Sequence, residues 1–492
     1  MSDRTAPGPS GHPLLGLMPA MRRDPLGTLT AAWREHGDVV RLRFPGREVF
    51  LCAHPDAVQH VLQENNQNYG KQTMGFQKLR LALGDGLLTS EGKFWLRQRR
   101  IAQPAFHRAR IAKFGAVMVE EAERTAEEWA APARAGRAID VAEEMMFLTL
   151  RVVGRTLMST DVAAEASQVG QAVTIILGHV RARMNTLLDF VEKLPLPSNR
   201  RFQGALRGLD KMMFEIIAQR RAALSAGGRA GGGAGGGGDG GGDGGGDGGR
   251  DSAQSGGGGG GSGAPDDLLT MLMEAKDEET GETMDDRQLR DELVTIFGAG
   301  HETTANALTW TFYLLSVHPA TRRRLAEEVQ AVLGARPPTV DDLARLPFTA
   351  MVVKESMRLY PPAWVIARNA LADDEIGGFR IPRDAIVLVS PYITHRHPAF
   401  WENPEGLDPE RFAAESDVRR HHQHRFAYFP FGGGPRICIG NNFALMEAQL
   451  LLASLARRWR LDLVPSHPVE PQPMVTLRPK YGMRMTVHAA AA

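Results

Sequence analysis

A helical pattern running from about Asp285 to Ser316 constrains this chain more than any other feature. Thr283 reads as its cap, with Asp286 three residues on, and Pro319 stops it. At 1.5 Å per residue such a helix is roughly 45–50 Å long, enough to cross a large globule. The fold must therefore be built around it, and 492 residues with 43% hydrophobic content can bury a core of that size. A second helix ends at Leu359, just before Pro361-Pro362. Strands are fewer. Val39 to Phe44 and Glu48 to Cys52 flank Pro45-Gly46, a hairpin signal, and Ala385 to Val389 reads as another strand. The Tyr481-Gly482 region reads as a further hairpin. The expected class is mainly α with small β-sheets.

Residues 225–264 are mostly glycine, punctuated by Asp239, Asp243, Asp247 and Asp251. Such a run buries no apolar area to offset its ordering entropy, so it is expected to be a flexible insertion. The aspartate spacing is similar to that of calcium-binding glycine-rich repeats, but their regular apolar position is absent. Helical patterns border the run at Met212 to Ile217 and Leu268 to Leu272, which places it between two helices of a single domain spanning 1–492.

A formal net charge of +1 gives no bulk attraction to nucleic acid. Two cysteines, Cys52 and Cys438, allow at most one disulfide, which suggests a reducing compartment. Cys52 lies in a strand-like run and reads as a small buried hydrophobe. No apolar signal segment opens the chain, and no run reaches the roughly 18 apolar residues of a transmembrane anchor. The expected location is cytoplasmic.

The most informative segment is Phe431-Gly432-Gly433-Gly434-Pro435-Arg436-Ile437-Cys438-Ile439-Gly440, followed by a helical run from Asn442 to Ala448. A thiolate ligand needs a depressed pKa, which backbone N–H groups and a helix N-terminus can supply. Glycines let the backbone wrap a sulfur closely, and Arg436 can pair with an anion. A buried cysteine in a glycine-rich turn is the plainer alternative. A phosphate loop lacks its Lys-Ser/Thr, and a zinc site lacks its other ligands.

This loop resembles the haem-binding loop of the cytochrome P450 family, with Phe431, Gly434, Arg436, Cys438 and Gly440 at the matching positions. Further motifs of that family follow in order: Trp95 and Arg99 in a Trp-x-x-x-Arg helix, Ala299-Gly300-His301-Glu302-Thr303 in the long helix, Glu355-x-x-Arg358, and Pro409-Glu410-Arg411-Phe412. The resemblance covers nearly the whole chain outside the glycine run. It implies a haem b (iron protoporphyrin IX) held between the long central helix and the cysteine loop, with Cys438 as the iron ligand. It implies Trp95, Arg99, Arg368 and Arg436 at the haem propionates, Ala299 and Gly300 close to the macrocycle, and a buried Glu355–Arg358–Arg411 network that fixes the cysteine loop. Thr303 and Glu302 are the implied proton-delivery pair. Read as ordinary helix residues, Glu355 and Arg358 form only a surface pair and Thr303 back-bonds to a carbonyl.

The implied activity is that of a haem-thiolate monooxygenase, which inserts one atom of O2 into an apolar substrate such as a fatty acid, a terpenoid or steroid, or a polyketide-like compound. Pocket candidates are Phe297, Ala299, Ala363, Trp364, Val365 and Ile366, with Met74-Gly75-Phe76 and Leu79 as a mobile lid. The same residues would look alike as core. No flavin or iron–sulfur module is visible, so electrons are expected from a ferredoxin or flavodoxin with its reductase. Arg97, Arg100, Arg108, Arg110, Arg419, Arg420 and Arg425 would form a basic docking face. His421, His422 and His424 read as loop residues rather than metal ligands. Two other haem-thiolate readings stay open here: a peroxygenase or peroxide isomerase, and a non-enzymatic haem sensor.

Overall fold

The computed structural model describes residues 4–159, 172, 175, 176, 178, 179, 194, 196–230, 267–413 and 424–490. The glycine run beyond residue 230 lies outside the described residues, as do Arg419, Arg420, His421 and His422.

The helices that position the site are α1 (Met74–Leu83), α2 (Gly92–Ala102), α3 (Gly115–Glu128), α4 (Val141–Met158), α5 (Pro197–Ala230), α6 (Leu268–Glu274), α7 (Asp286–Val317), α8 (Pro319–Leu333), α9 (Pro347–Leu359) and α10 (Asn441–Arg458). The long helix α7 is capped by Asp285, not Thr283. The Asp285 carboxylate accepts from Gln288 N (2.8 Å), and the Gln288 side chain accepts from Asp285 N in return. That reciprocal box satisfies two free N–H groups, which a threonine two residues earlier cannot reach. Pro319 ends α7 and opens α8. Packed around α7, the helices α3, α4, α9 and α10 form one large apolar core that includes fully buried Trp129 and Trp310.

Strands β1 (Val39–Phe44) and β2 (Arg47–Cys52) form the expected hairpin about Gly46, whose φ of +66° suits glycine. They join β8 (Ile386–Val389), β5 (Ile366–Ala370) and β3 (Tyr69–Gly70) in a five-stranded sheet ordered β1-β2-β8-β5-β3. Strands β4 (Ala138–Asp140), β12 (Arg484–Ala489) and β9 (Trp459–Leu463) form a second sheet, and β6 (Asp374–Ile376) pairs with β7 (Phe379–Ile381) in a third. The expected hairpin at Tyr481-Gly482 is not formed. The chain turns there with Gly482 at φ +70°, and β12 leaves to pair with β4 and β9, burying Met485 and Val487. The hairpin in this region is β10 (Pro471–Pro473) with β11 (Leu477–Pro479), turning at Met474–Thr476.

Helix α5 runs to Ala230, several residues past the expected start of the glycine insertion. Near its end Arg220 bonds to Asp267 and Thr270 at the start of α6 and to Met158 O (2.9 Å), while Arg221 pairs with Asp286 of α7 (2.5 Å). Among the described residues no helix is long and apolar enough to cross a membrane.

Candidate active site

The cysteine loop is shaped by contacts that only glycine permits. Gly432 and Gly434 hold φ of +72° and +64°, and a Cβ on Gly434 would lie 1.8 Å from Leu62 O. Cys438 N donates to Phe431 O (3.0 Å), which closes the loop before α10 begins. Cys438 is enclosed by many protein atoms yet keeps an accessible surface. Burial pushes its thiol up, against the Gly440 amide and the Arg99 guanidinium, which pull it down. The protein's own groups therefore do not depress this pKa as the sequence suggested.

Around this loop the fold collects positive charge. Arg436 donates to Ser90 O (3.0 Å) and stacks over the Trp95 ring at 4.2 Å. Arg99 donates to Ile437 O (2.9 Å). Arg368 is buried and donates only to its own strand, at Ala367 O (2.9 Å); burial and Arg436 bring it down to about 10. Lys71, absent from the sequence-based set, is buried beside them. Its Nζ donates to Leu88 O (2.7 Å), and burial, Arg368 and Arg436 push it well below the usual lysine value. Among the described residues none of these four cations forms an ion pair, and Glu91 is the one carboxylate that acts on Lys71, Arg368 and Arg436. Buried cations in such excess call for an added anion. A haem, with an iron for Cys438 and two propionates for this cluster, fits the donor set. No sequence signal marks Lys71, because it reaches Arg368 only through the pairing of Gly70 with Asn369 between β3 and β5.

In α7, Ala299 is the only exposed residue between Gln288 and Ser316. The helix is unbroken there. A Cβ on Gly300 would lie 3.3 Å from Val153 of α4, so its small size serves helix packing there. The Thr303 hydroxyl donates to Ala299 O (2.8 Å), which leaves its lone pairs to accept a proton donor. Glu302 is buried and accepts from Thr476 Oγ1 (2.6 Å) on the hairpin turn.

Glu355 and Arg358 are fully buried and bidentate, at 2.7 Å for both contacts, and Arg411 Nε lies 3.5 Å from Glu355 Oε1. Arg358 also donates to His395 O (3.0 Å), Pro404 O (2.6 Å) and Gly406 O (2.8 Å). His395 carries the linkage onward. Its Nε2 accepts from Phe429 N (2.9 Å), and Phe429 O accepts from Gly432 N (2.9 Å) in the cysteine loop. Burial and the neighbouring Arg358 and Arg396 keep His395 neutral, as an accepting ring nitrogen requires. A lone histidine in a helix-to-loop segment gave no sequence hint of this part.

The expected pocket residues separate into two groups. Ala299, Ala363, Val365 and Ile366 keep accessible surface, with Ile366 Cδ1 3.6 Å from the Gly432 Cβ position. Phe297 and Trp364 are 1% and 8% exposed and belong to apolar cores. Phe76 of α1 is half-buried, and Leu79 is core. The segment after α1 is tied to α7: Asp85 N donates to Asp291 Oδ2 (2.8 Å) and Leu87 N to Glu292 Oε2 (3.0 Å).

The expected basic face is partly neutralised. Arg97 bonds to Glu282 and Gln288, and Arg100 to Asp277 (2.9 Å) and Glu279 (2.7 Å). Arg108 and Arg110 are exposed without an ion pair among the described residues, and Arg425 is exposed beside a cleft of about 180 Å³ that Phe431 and Ile437 also line. His424 pairs with Asp56 (2.9 Å), and the described residues contain no group of side chains able to hold a metal ion.

The family model for Cytochrome P450 matches residues 6–486. Cyclooctatin synthase of Streptomyces melanosporofaciens is 38% identical over 470 residues, 95% of this chain and 92% of that protein. Cyclooctat-9-en-7-ol 5-monooxygenase of the same organism is 35% identical, covering 94% and 90% of the two chains. Pentalenene oxygenase of Streptomyces avermitilis is 32% identical, covering 99% and 97%. Among solved structures, the crystal structure of the cytochrome P450DA heme domain superposes with a TM-score of 0.82 at 26% identity, covering 100% of this chain and 99% of that one.

Proposed function

Since the chain belongs to the cytochrome P450 family and is a haem-thiolate monooxygenase, we propose that it hydroxylates a cyclic terpenoid hydrocarbon or alcohol. The substrate reading rests on the names of the relatives matched over nine-tenths or more of both chains, a cyclooctat-9-en-7-ol monooxygenase and a pentalenene oxygenase among them. The accessible apolar surface at Ala299, Ala363, Val365 and Ile366 suits such a substrate.

The observation that carries the site reading is the cluster of Lys71, Arg99, Arg368 and Arg436 against one carboxylate beside Cys438. In this reading Cys438 is the iron ligand of haem b, and the four cations, with Trp95 beneath Arg436, hold its propionates. When bound, the haem supplies activation of O2 and attack on an unactivated C–H bond. The protein contributes position and protons. Phe431, Gly434 and Gly440 shape the loop, and Glu355, Arg358 and Arg411 lock it through His395. The Thr303 hydroxyl, its own proton committed to Ala299 O, accepts from a water and aligns it for proton delivery. Electrons come from a ferredoxin or flavodoxin that docks near Arg108, Arg110 and Arg425, and the setting is the cytoplasm. The glycine-rich segment is an insertion between α5 and α6.

The test has two arms. The reduced CO complex of the parent should show the red-shifted Soret band of thiolate ligation, and Cys438→His should lose it. With a ferredoxin, its reductase and NAD(P)H, pentalenene and cyclooctat-9-en-7-ol should give larger spectral binding shifts and more hydroxylated product than a long-chain fatty acid. Fatty acid preference overturns the substrate reading, and a retained band in Cys438→His overturns the ligand.

A further inference from the structure

Two supports of the cysteine site lie on one short stretch of chain. Leu62, in the middle of the π-helical turn His60–Glu64, sets its carbonyl against Gly434, where a Cβ would lie 1.8 Å away. Lys71 directly follows β3 and stands in the cation cluster with Arg368 and Arg436. Neither support is held by its own element. A π-helical turn is a rare form that seldom exceeds one turn. Strand β3 has two residues, paired with β5 only through Tyr69–Ala370 and Gly70–Asn369, and so short a ladder is weak by itself.

Both supports are tied to one oxygen. Asp374 Oδ2, on β6, accepts from His60 Nε2 (2.8 Å), Asn65 Nδ2 (3.0 Å) and Tyr69 OH (2.5 Å), while Oδ1 accepts from Glu375 N (2.8 Å). An ionised carboxylate has no proton to give, so His60 Nε2 is the donor. Burial pushes the Asp374 carboxyl up, but the Tyr69 hydroxyl, His60 and the Glu375 amide outweigh it and bring it below its ordinary value. Burial and Asp374 push the Tyr69 hydroxyl far up, so it keeps the proton it donates. His60 opens the π-helical turn and Asn65 follows its last residue. The carboxylate therefore grips both ends of the turn whose middle touches Gly434. Through Tyr69, two residues before Lys71, it grips β3 as well. Hydrogen bonds to a charged acceptor are stronger than neutral ones, and removing the acceptor strands all three donors.

We propose that Asp374 is a positioning residue for the haem site, acting through two arms. His60 and Asn65 hold the π-helical turn against the cysteine loop, and Tyr69 holds Lys71 in the cation cluster. This deepens the haem-thiolate reading and rests on it for the group that is held.

The experiment uses the substrate-free holoenzyme. Hydrogen exchange on peptides across residues 60–71 should speed up at least about tenfold in Asp374→Ala. Each arm is then cut alone. His60→Phe should lose the red-shifted band of the reduced CO complex faster than the parent in mild urea, whereas His60→Gln, which keeps a donor, should lie close to the parent. Tyr69→Phe should move the iron reduction potential to more negative values, because a displaced lysine no longer favours the more reduced iron. Lys71→Gln should move it the same way, and Tyr69→Phe added to Lys71→Gln should move it no further. Unchanged exchange in Asp374→Ala overturns the anchor. A stable band in His60→Phe overturns the first arm, and shifts of Tyr69→Phe and Lys71→Gln that simply add overturn the second. A lower melting temperature with band stability and potential both unmoved overturns positioning in favour of stabilisation alone. A parent without the red-shifted band would refute the haem-thiolate reading instead, since the exchange measurement does not depend on that band.

Discussion

Replacing Glu447 with glutamine removes a penalty that the parent protein carries only at higher pH. Glu447 lies on α10, nine residues beyond Cys438, and is completely buried. Neither carboxylate oxygen has a hydrogen-bond partner, and the nearby Thr304 hydroxyl donates to Gly300 O instead (3.2 Å). Burial pushes the carboxyl from its ordinary 4.5 up to about 8. The sign follows from linkage: a raised acid keeps its proton in the folded state, so it costs nothing below about pH 4.5. Its cost grows as pH rises towards 8 and is constant above that. At about 1.36 kcal/mol per pH unit the full cost approaches about 5 kcal/mol, of which about 2.5 kcal/mol develops between pH 6 and pH 8.5. An unfolding entropy of about 2.1 cal/mol/K per residue makes about 1 kcal/mol per degree over 492 residues. The melting temperature of Glu447→Gln relative to the parent should therefore rise by about 2–3 °C from pH 6 to pH 8.5, whatever its absolute value at pH 6. Glu292, also brought up to about 8 by burial, leaves a slope of the same sign in both proteins. The assay is a thermal melt followed by loss of the haem absorbance at matched scan rate. A parent–variant gap that stays flat across this window would refute the reasoning, since it would mean that Glu447 is hydrated or already ionised in the folded protein.

Thr303→Ala should keep haem and substrate binding while product per NAD(P)H falls several-fold and hydrogen peroxide rises; Thr303→Ser should lie near the parent, and equal ratios for Ala and parent would remove Thr303 from the proton path. Arg358→Lys breaks the bidentate pair with Glu355 and three carbonyl contacts, so it should cost about 3–5 kcal/mol and show as weakened haem retention in the purified protein. Reversing Arg108 and Arg110 to Glu should slow reduction by an acidic electron donor about tenfold at low ionic strength, with the effect shrinking as salt is added. Reversing Arg97 and Arg100 should instead lower stability by breaking their contacts with Asp277, Glu279 and Glu282, and a slower reduction without loss of stability would contradict the pairing seen here.

Where local pattern and final structure agree, the residues act over short sequence distances. The α7 periodicity persists over 32 residues, the Pro45-Gly46 turn joins strands that pair directly, and Glu355 and Arg358 share one helix face by spacing alone. The cysteine loop is legible because its glycines are demanded by the backbone itself, as the contact of Gly434 with Leu62 O illustrates. The features that escaped are set by distant partners. Lys71 joins the cluster of Arg368 and Arg436 only through the β3–β5 register. Glu302 finds its partner 174 residues away. Arg97 and Arg100 look like a docking surface until the segment at 277–282 folds over them. The Thr283 cap failed because Asp286, the residue that would reciprocate it, pairs with Arg221, while Asp285 and Gln288 bond each other.

The clamps at the end of α5 and the start of α6 have a consequence for how this chain tolerates change. Arg220 is held to Asp267, Thr270 and Met158 O, and Arg221 to Asp286, so both flanks of the segment at 231–266 are seated on α4, α6 and α7 by their own contacts. Closing a longer loop between fixed ends costs only about 0.6 kcal/mol per doubling of its length. The joint therefore works as a natural splice point. A foreign module whose own termini lie close together, grafted within residues 231–266, should therefore leave the melting temperature and haem content of the host nearly unchanged.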